Sequence, residues 1–141
     1  MITVADVMTK ALVTLPETAS IWDARHLMTD RRIRHVPIVN ADGEFVGLLT
    51  QRDVLATTVS ILAEVDPGEI KTLESSIPVK EVMTVEIRAV EEETDLREAA
   101  RYMLEHKLGC LPVIRSQRLA GIITETDFMK LVLRLLERLD V

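Results

Sequence analysis

A chain of 141 residues with 48% hydrophobic and 28% charged residues has the composition of a folded globular protein, with room for one compact domain or two small ones sharing a core. Aromatics are only 3%, so the core is filled by Val, Ile, Leu, Ala and Met, and platforms on which bases could stack are scarce. The net charge of −6 and single cysteine disfavour a phosphate-backbone binder and exclude an internal disulfide, while no leader pattern and no bilayer-spanning apolar run is visible, so a soluble cytoplasmic protein is expected, with neither nucleic acid nor membrane as partner.

In chain order, the segment Val4-Ala5-Asp6-Val7-Met8-Thr9 comes first, followed by a short apolar run at 11–15 that predicts a strand. A helix follows, opened by Ser20 with Asp23 three residues on in the manner of a capping box; its buried stripe is Ile21, Ala24, Leu27 and Met28. Two β-rich runs, 35–39 and 45–50, flank the polar Asn40-Ala41-Asp42-Gly43-Glu44 and read as a hairpin. Pro37 cannot donate to a ladder, so its strand should lie at an edge or carry a local irregularity. A second helix starts near Thr50 and extends through 54–65, until Asp66-Pro67-Gly68-Glu69 breaks it; the stretch 70–77 has no clear pattern.

From residue 79 the pattern returns. Val79-Lys80-Glu81-Val82-Met83-Thr84 repeats the opening, a strand follows at 87–90, and a helix starts at Asp95 with Glu98 placed for a second capping box. Its stripe is Leu96, Ala99, Tyr102 and Met103; a hairpin of 110–114 and 119–124 turns at Ser116-Gln117 and carries Pro112. The last helix, from Thr124, has Phe128, Leu131, Val132, Leu135, Leu136 and Leu139 on its apolar side, which either packs within the protein or forms an oligomer contact. The pairs Ala24/Ala99, Met28/Met103, Pro37/Pro112, Gly47/Gly121, Thr50/Thr124 and Asp53/Asp127 keep the two copies in register. The expected organisation is α+β: one βαββα unit at 1–65, a linker at 66–78 and a second unit at 79–141. A three-stranded sheet with one open face buries too little surface to be stable alone, so the two copies are expected to pack through their sheets with pseudo-twofold symmetry, leaving paired clefts.

The repeated closing, Gly47-Leu48-Leu49-Thr50-Gln51-Arg52-Asp53 and Gly121-Ile122-Ile123-Thr124-Glu125-Thr126-Asp127, delivers a hydroxyl and a carboxylate from a buried strand to the first turn of a helix. Helix N-termini offer amides and a positive dipole end to anions, and an acidic residue there can accept hydrogen bonds from a vicinal diol. The same Thr-x-x-Asp pattern is also a helix cap, stabilising by roughly 1 kcal/mol with no ligand. Both readings stand at this level.

In these residues the chain resembles the cystathionine-beta-synthase (CBS) domain family, whose tandem pair is called a Bateman module. The resemblance covers most of residues 1–135 and rests on Asp6-Val7-Met8-Thr9 and Glu81-Val82-Met83-Thr84, on His35-Val36-Pro37-Ile38-Val39 and Cys110-Leu111-Pro112-Val113-Ile114, and on both Gly-to-Asp closings. It implies tandem βαββα repeats whose clefts bind AMP, ADP, ATP or S-adenosylmethionine, in a module that often forms a homodimer and usually regulates an enzyme, channel or transporter carried on the same chain; here the regulated protein is an unidentified partner. Carried over by position, it makes Asp53 and Asp127 ribose contacts, with Thr50 and Thr124 beside them at ribose or phosphate. Arg34, His35 and Arg52 become phosphate contacts in the first copy, while the second has Gly109, Cys110 and Thr126 there, so the sites should be unequal. The base is expected near Thr14 in one copy and near Ile87 and Ala89 in the other, with Val36 and Leu111 close by. No cofactor is implied beyond that ligand.

Other chemistry is thinly represented. His26, His35, His106 and Cys110 do not fall at zinc spacing; Met8, Met28, Met83 and Met103 fit core packing; Cys110 reads as an inert buried thiol. With no acid/base pair, nucleophile constellation or Walker-type loop, an enzyme is not expected. Two functions remain: a free-standing sensor of adenosine ligands that signals by conformational or assembly change, or a ligand-independent dimerisation scaffold in which the Thr/Asp pairs only cap helices.

Overall fold

The computed structural model describes residues 1–140, and in it both hairpins form at the two pairs of β-rich runs, each strand carrying a continuous buried stretch. Strand β2 (His35–Val39) pairs antiparallel with β3 (Phe45–Thr50), and β5 (Cys110–Arg115) with β6 (Arg118–Thr124). The second hairpin turns through Ser116 and Gln117 at φ 50° and 66°, the left-handed geometry that matches strand twist in a two-residue turn. The first turns with Gly43 at φ 79°, where the absence of a Cβ removes the steric cost.

The predicted strands at 11–15 and 87–90 shrink to β1 (Leu15–Pro16) and β4 (Val90–Glu91), which run parallel to β2 and β5 and give sheet orders β1-β2-β3 and β4-β5-β6. The proline strands are therefore central rather than at an edge. Pro37 is tolerated because β1 pairs only with Ile38 and Val39, leaving β2 without a neighbour on that side at the proline, and because the ladder shifts register between Ile38 and Val39. The second sheet repeats this, with Val113 and Ile114 paired to β4 and a shift between them.

Helix α1 (Val4–Val7) opens the chain, and α2 (Ile21–Arg31) begins with the predicted capping box, the Asp23 amide donating to Ser20 Oγ at 3.1 Å and the Ser20 amide to Asp23 Oδ2 at 3.2 Å. The corresponding α5 (Leu96–His106) opens differently. Asp95 accepts from the Arg97 amide at 2.9 Å and pairs with the Arg97 side chain, which holds its carboxyl at about 2, while Glu98 turns away to Arg88 at 2.6 Å; no capping box closes there. Helix α3 (Gln51–Leu62) follows β3, and the ambiguous stretch after it is helical, α4 (Ile70–Ser76), preceded by a 3₁₀ turn at Pro67–Glu69. Helix α6 (Glu125–Leu139) closes the chain.

Backbone packing divides the chain into two units that do not follow the sequence copies. One contains Val13–Ile87; the other joins Met1–Leu12 to the chain from Arg88 onward. The cause is local. The opening segment of each copy adds a short antiparallel bridge to the last strand of the other copy: Thr9 exchanges both backbone bonds with Ile122 (2.8 and 3.0 Å), and Thr84 does so with Leu48 (2.9 and 2.9 Å). The Met8 thioether lies over Gly121 and that of Met83 over Gly47, at positions a side chain would occupy.

Each unit has its own apolar cluster. In the first, Val79 packs with Ile21, Ala24, Met28, Val36, Ile38, Leu49 and Val54; in the second, Val4 and Met8 pack with Val90, Leu96, Ala99, Met103, Leu111, Val113 and Ile123. The helical stripes read from sequence are these faces, with Leu27 and Tyr102 half-buried at their margins. In the first unit α4 is fastened by Glu74, which is fully buried, accepts from Arg25 Nε and Nη2 (3.0 and 2.6 Å) and from Thr58 Oγ1 (2.8 Å), and so ties α2, α3 and α4 together.

Candidate functional site

The two strand-to-helix junctions are built alike. Thr50 ends β3 and caps α3: the Asp53 amide donates to Thr50 Oγ1 at 3.1 Å, and the Thr50 amide donates to Asp53 Oδ2 at 3.1 Å. Thr124 and Asp127 repeat the box at the start of α6, at 3.3 and 2.9 Å. The capping reading is thus realised at both, with the hydroxyl and carboxylate held at the helix start where a ligand could meet them.

The first-turn amides are less available than the pattern suggests. The Gln51 amide donates to the Arg34 carbonyl at 2.8 Å and that of Glu125 to the Gly109 carbonyl at 3.0 Å, while the third amide of each helix goes to the cap hydroxyl. The second amide, that of Arg52 or Thr126, is the one that neither strand nor cap takes up.

These bonds bring Arg34, His35, Thr50, Arg52 and Asp53 to one end of the first sheet, since His35 is directly opposite Thr50 in the ladder. Arg34 and Arg52 are exposed and neither makes an ion pair among the described residues; His35 is half-buried. Thr14, exposed, precedes the Leu15–Ile38 pair and so lies toward the same His35 end of β2. In the second sheet Cys110 is opposite Thr124, and Ala89, half-buried, precedes the Val90–Val113 pair on that end. Ile87 and Ala89 fall on either side of the division between the two units. Val36 and Leu111 are fully buried in their clusters.

The two carboxylates differ in a way the repeat did not reveal. Asp53 is half-buried and uses Oδ2 alone for its cap, whereas Asp127 is 5% exposed and accepts through Oδ1 from Thr9 Oγ1 at 2.8 Å as well. Thr9 and Thr84 are the same residue at equivalent positions, so nothing in the sequence marks one of them as a partner.

Around the second junction, burial and, secondarily, the Glu125 charge push the Cys110 thiol up to about 12, so that it is inert at neutral pH. His26 and His106 each place Nδ1 on the carbonyl four residues back, Trp22 and Tyr102, at 2.8 and 3.1 Å, and each stacks on that same aromatic ring. The four methionines that recur with the repeat pack as core, Met8, Met28 and Met103 buried and Met83 half-buried. Among the described residues no helix is long and apolar enough to cross a membrane.

A tandem α+β repeat with a Thr-x-x-Asp junction at the end of each sheet defines a class of duplicated-sheet modules. The chain matches the CBS domain at residues 4–59 and again at 79–134, and it belongs to the CBS domain family. That family is regulatory rather than catalytic. Among solved structures, the Vibrio cholerae protein AcuB superposes with a TM-score of 0.84 at 41% identity over 99% of this chain and 96% of that one. CBSX2 in complex with AMP gives 0.80 at 28% identity over 96% and 98%. The CBS domain pair of protein MJ0100, in complex with 5′-methylthioadenosine and S-adenosyl-L-methionine, gives 0.75 at 25% identity over 94% and 96%. Among curated relatives, protein MJ1404 of Methanocaldococcus jannaschii is 30% identical over 92% of this chain, and the chloroplastic CBS domain-containing protein CBSX1 of Arabidopsis thaliana 32% over 94%. The chain spans 31% of MJ1404 and 24% of a homoserine O-acetyltransferase from Methanohalobium evestigatum that it also matches.

Proposed function

We propose that this chain is a regulatory module that binds an adenosine ligand, AMP, ADP, ATP or S-adenosylmethionine, at the starts of α3 and α6, and signals through a change in conformation or assembly. The observation that carries it is the first junction. Asp53 presents a carboxylate oxygen that its own cap does not use, beside the Thr50 hydroxyl and at the same end of the sheet as two exposed arginines, Arg34 and Arg52, that no carboxylate neutralises among the described residues. A carboxylate suits a ribose diol, and two cations suit a phosphate. The second junction has the carboxylate without such cations, so phosphate-bearing ligands favour the first. The AMP and S-adenosylmethionine complexes of CBSX2 and MJ0100 support this ligand class.

A ligand-independent scaffold is the second reading, favoured by the complete capping boxes and by α6. Met129, Val132, Leu133, Leu136 and Leu139 are all at least 46% exposed and recur at helical spacing, a face that a second copy of the chain would cover in a homodimer. The lone buried thiol and the nucleotide class of the ligand fit a cytoplasmic protein.

A thermal-shift screen with isothermal titration separates the two. AMP, ATP or S-adenosylmethionine at 100 times its dissociation constant adds about 2.7 kcal/mol of stability. Asp53→Asn sharply reduces the gain by removing the tighter site, and Arg34→Ala weakens AMP and ATP more than S-adenosylmethionine. No shift with any of the three refutes the sensor and leaves the scaffold.

A further inference from the structure

The two junctions share backbone geometry but not accessibility, and the difference traces to one hydroxyl. At α6, Asp127 has both carboxylate oxygens engaged: Oδ2 accepts from the Thr124 amide (2.9 Å) and hydroxyl (3.2 Å), and Oδ1 accepts from Thr9 Oγ1 (2.8 Å). Thr9 is anchored for this task by its two backbone bonds to Ile122 and by Met8 lying over Gly121. At α3 the counterpart Thr84 has the same two backbone bonds to Leu48, and its neighbour Met83 lies over Gly47 in the same way. Yet Thr84 is exposed, and among the described residues its hydroxyl makes no bond to Asp53 and no hydrogen bond reaches Asp53 Oδ1. The approach to the two bridges differs: helix α1 leads to Thr9, whereas a single 3₁₀ turn at Val79–Glu81 leads to Thr84.

Asp127 Oδ1 accepts a charge-assisted bond at 2.8 Å on a residue only 5% exposed, so a ribose diol has to compete with the Thr9 hydroxyl for that oxygen. We infer that Thr9 is a positioning residue that holds Asp127 away from ligand, so that the α3 site fills first and the α6 site only after the Thr9 hydroxyl is displaced. This rests on the adenosine-ligand reading above and adds an order of filling. It also gives the second site a consequence that the first lacks. Because Thr9 belongs to the opening segment of the chain, ligand at Asp127 competes with a contact that fastens that segment to α6.

The test is calorimetric titration of AMP into the full chain. Wild type shows one tight site, which Asp53→Asn removes, leaving a weak α6 site. In the Asp53→Asn background, Thr9→Val tightens that weak site about tenfold, while Thr9→Ser, which keeps the hydroxyl, leaves it unchanged. The gain is absent with 2′-deoxy-AMP, which lacks the diol. As a measurement without the valine variant, amide resonances of Thr9 and Asp127 in wild type shift only in a second, weaker phase, after those of Asp53. A Thr9→Val site no tighter than its parent, or Thr9 and Asp53 resonances that move together, overturns the inference while leaving the functional reading intact. Failure of AMP, ATP and S-adenosylmethionine to bind wild type and every variant overturns the functional reading, and this inference with it.

Discussion

The two glycines under the methionines provide a paired test of the packing. A Cβ on Gly121 would lie 2.7 Å from Met8 Sδ and 2.9 Å from the Thr9 carbonyl oxygen, which itself accepts from the Ile122 amide at 3.0 Å. Restoring ordinary contact means moving that carbonyl by about half an ångström, which stretches the bond to the edge of hydrogen-bond range and forfeits roughly 1 kcal/mol. Crowding at the Met8 thioether adds about 1–3 kcal/mol, and the smaller entropy of the unfolded chain returns about 0.4–1 kcal/mol. Gly121→Ala therefore costs about 2 kcal/mol. A Cβ on Gly47 meets only the side chain of Met83, at 2.6, 2.9 and 3.2 Å, and Met83 is half-buried and free to change rotamer. That change costs about 0.5–1.5 kcal/mol against the same entropic return, so Gly47→Ala is destabilising by less than about 1 kcal/mol. In a chain of this size each kcal/mol shifts the melting midpoint by about 3–5 °C. Thermal unfolding followed by circular dichroism should then place Gly121→Ala well below Gly47→Ala. Equal losses, or the reverse order, would refute the argument that a backbone carbonyl rather than a flexible thioether sets the cost.

Burial pushes the Glu74 carboxyl upward, but the hydrogen bonds from Arg25 and Thr58 and the Arg25 charge outweigh it, leaving it below its ordinary 4.5. Because the folded value is depressed, its stabilisation is complete above pH 4.5 and is lost as pH falls through the lower folded value; urea midpoints measured from pH 6 to 3 should fall more steeply in wild type than in Glu74→Gln. Arg25→Leu strands the carboxylate and costs about 2–3 kcal/mol at pH 7, the lower part of the range for a broken buried pair because the Arg25 side chain is 33% exposed. Part of that loss should return as pH falls, because burial without the Arg25 charge favours the protonated carboxyl, and a deficit that deepens with acid instead would count against the pairing. With its thiol at about 12, Cys110 is ionised to roughly one part in ten thousand at pH 8, so Ellman's reagent should label it only after unfolding. Lys107 ends α5 in the left-handed region at φ 53°, and Lys107→Gly should raise stability by about 0.5 kcal/mol, a gain that an unchanged denaturation midpoint would rule out.

What the sequence determined by itself is the set of features whose partners lie within a few residues. The Ser20/Asp23, Thr50/Asp53 and Thr124/Asp127 boxes close across one helical turn, and each hairpin closes across its own turn, so pattern and geometry are nearly the same statement. The duplication made each element legible twice, and its motifs pointed to the CBS family that the chain belongs to. Where local rules left a choice, the structure decided. Asp95 and Glu98 have the spacing of a box, yet Arg97 gives Asp95 both its amide and its guanidinium, and Glu98 pairs with Arg88 instead of the cap amide. The stretch 70–77 lacks a helical signature of its own and becomes α4 because Glu74 finds Arg25 and Thr58 on two neighbouring helices.

Tertiary structure alone decided which sheet each opening segment joins, and with it the unequal state of two carboxylates that the sequence presents as twins. The contact between Thr9 and Asp127 spans most of the chain, and its counterpart between Thr84 and Asp53 does not form. A repeat states which residues are equivalent. Only the packed surfaces state which of them meet, because a hydrogen bond depends on a few tenths of an ångström of placement that no periodicity encodes.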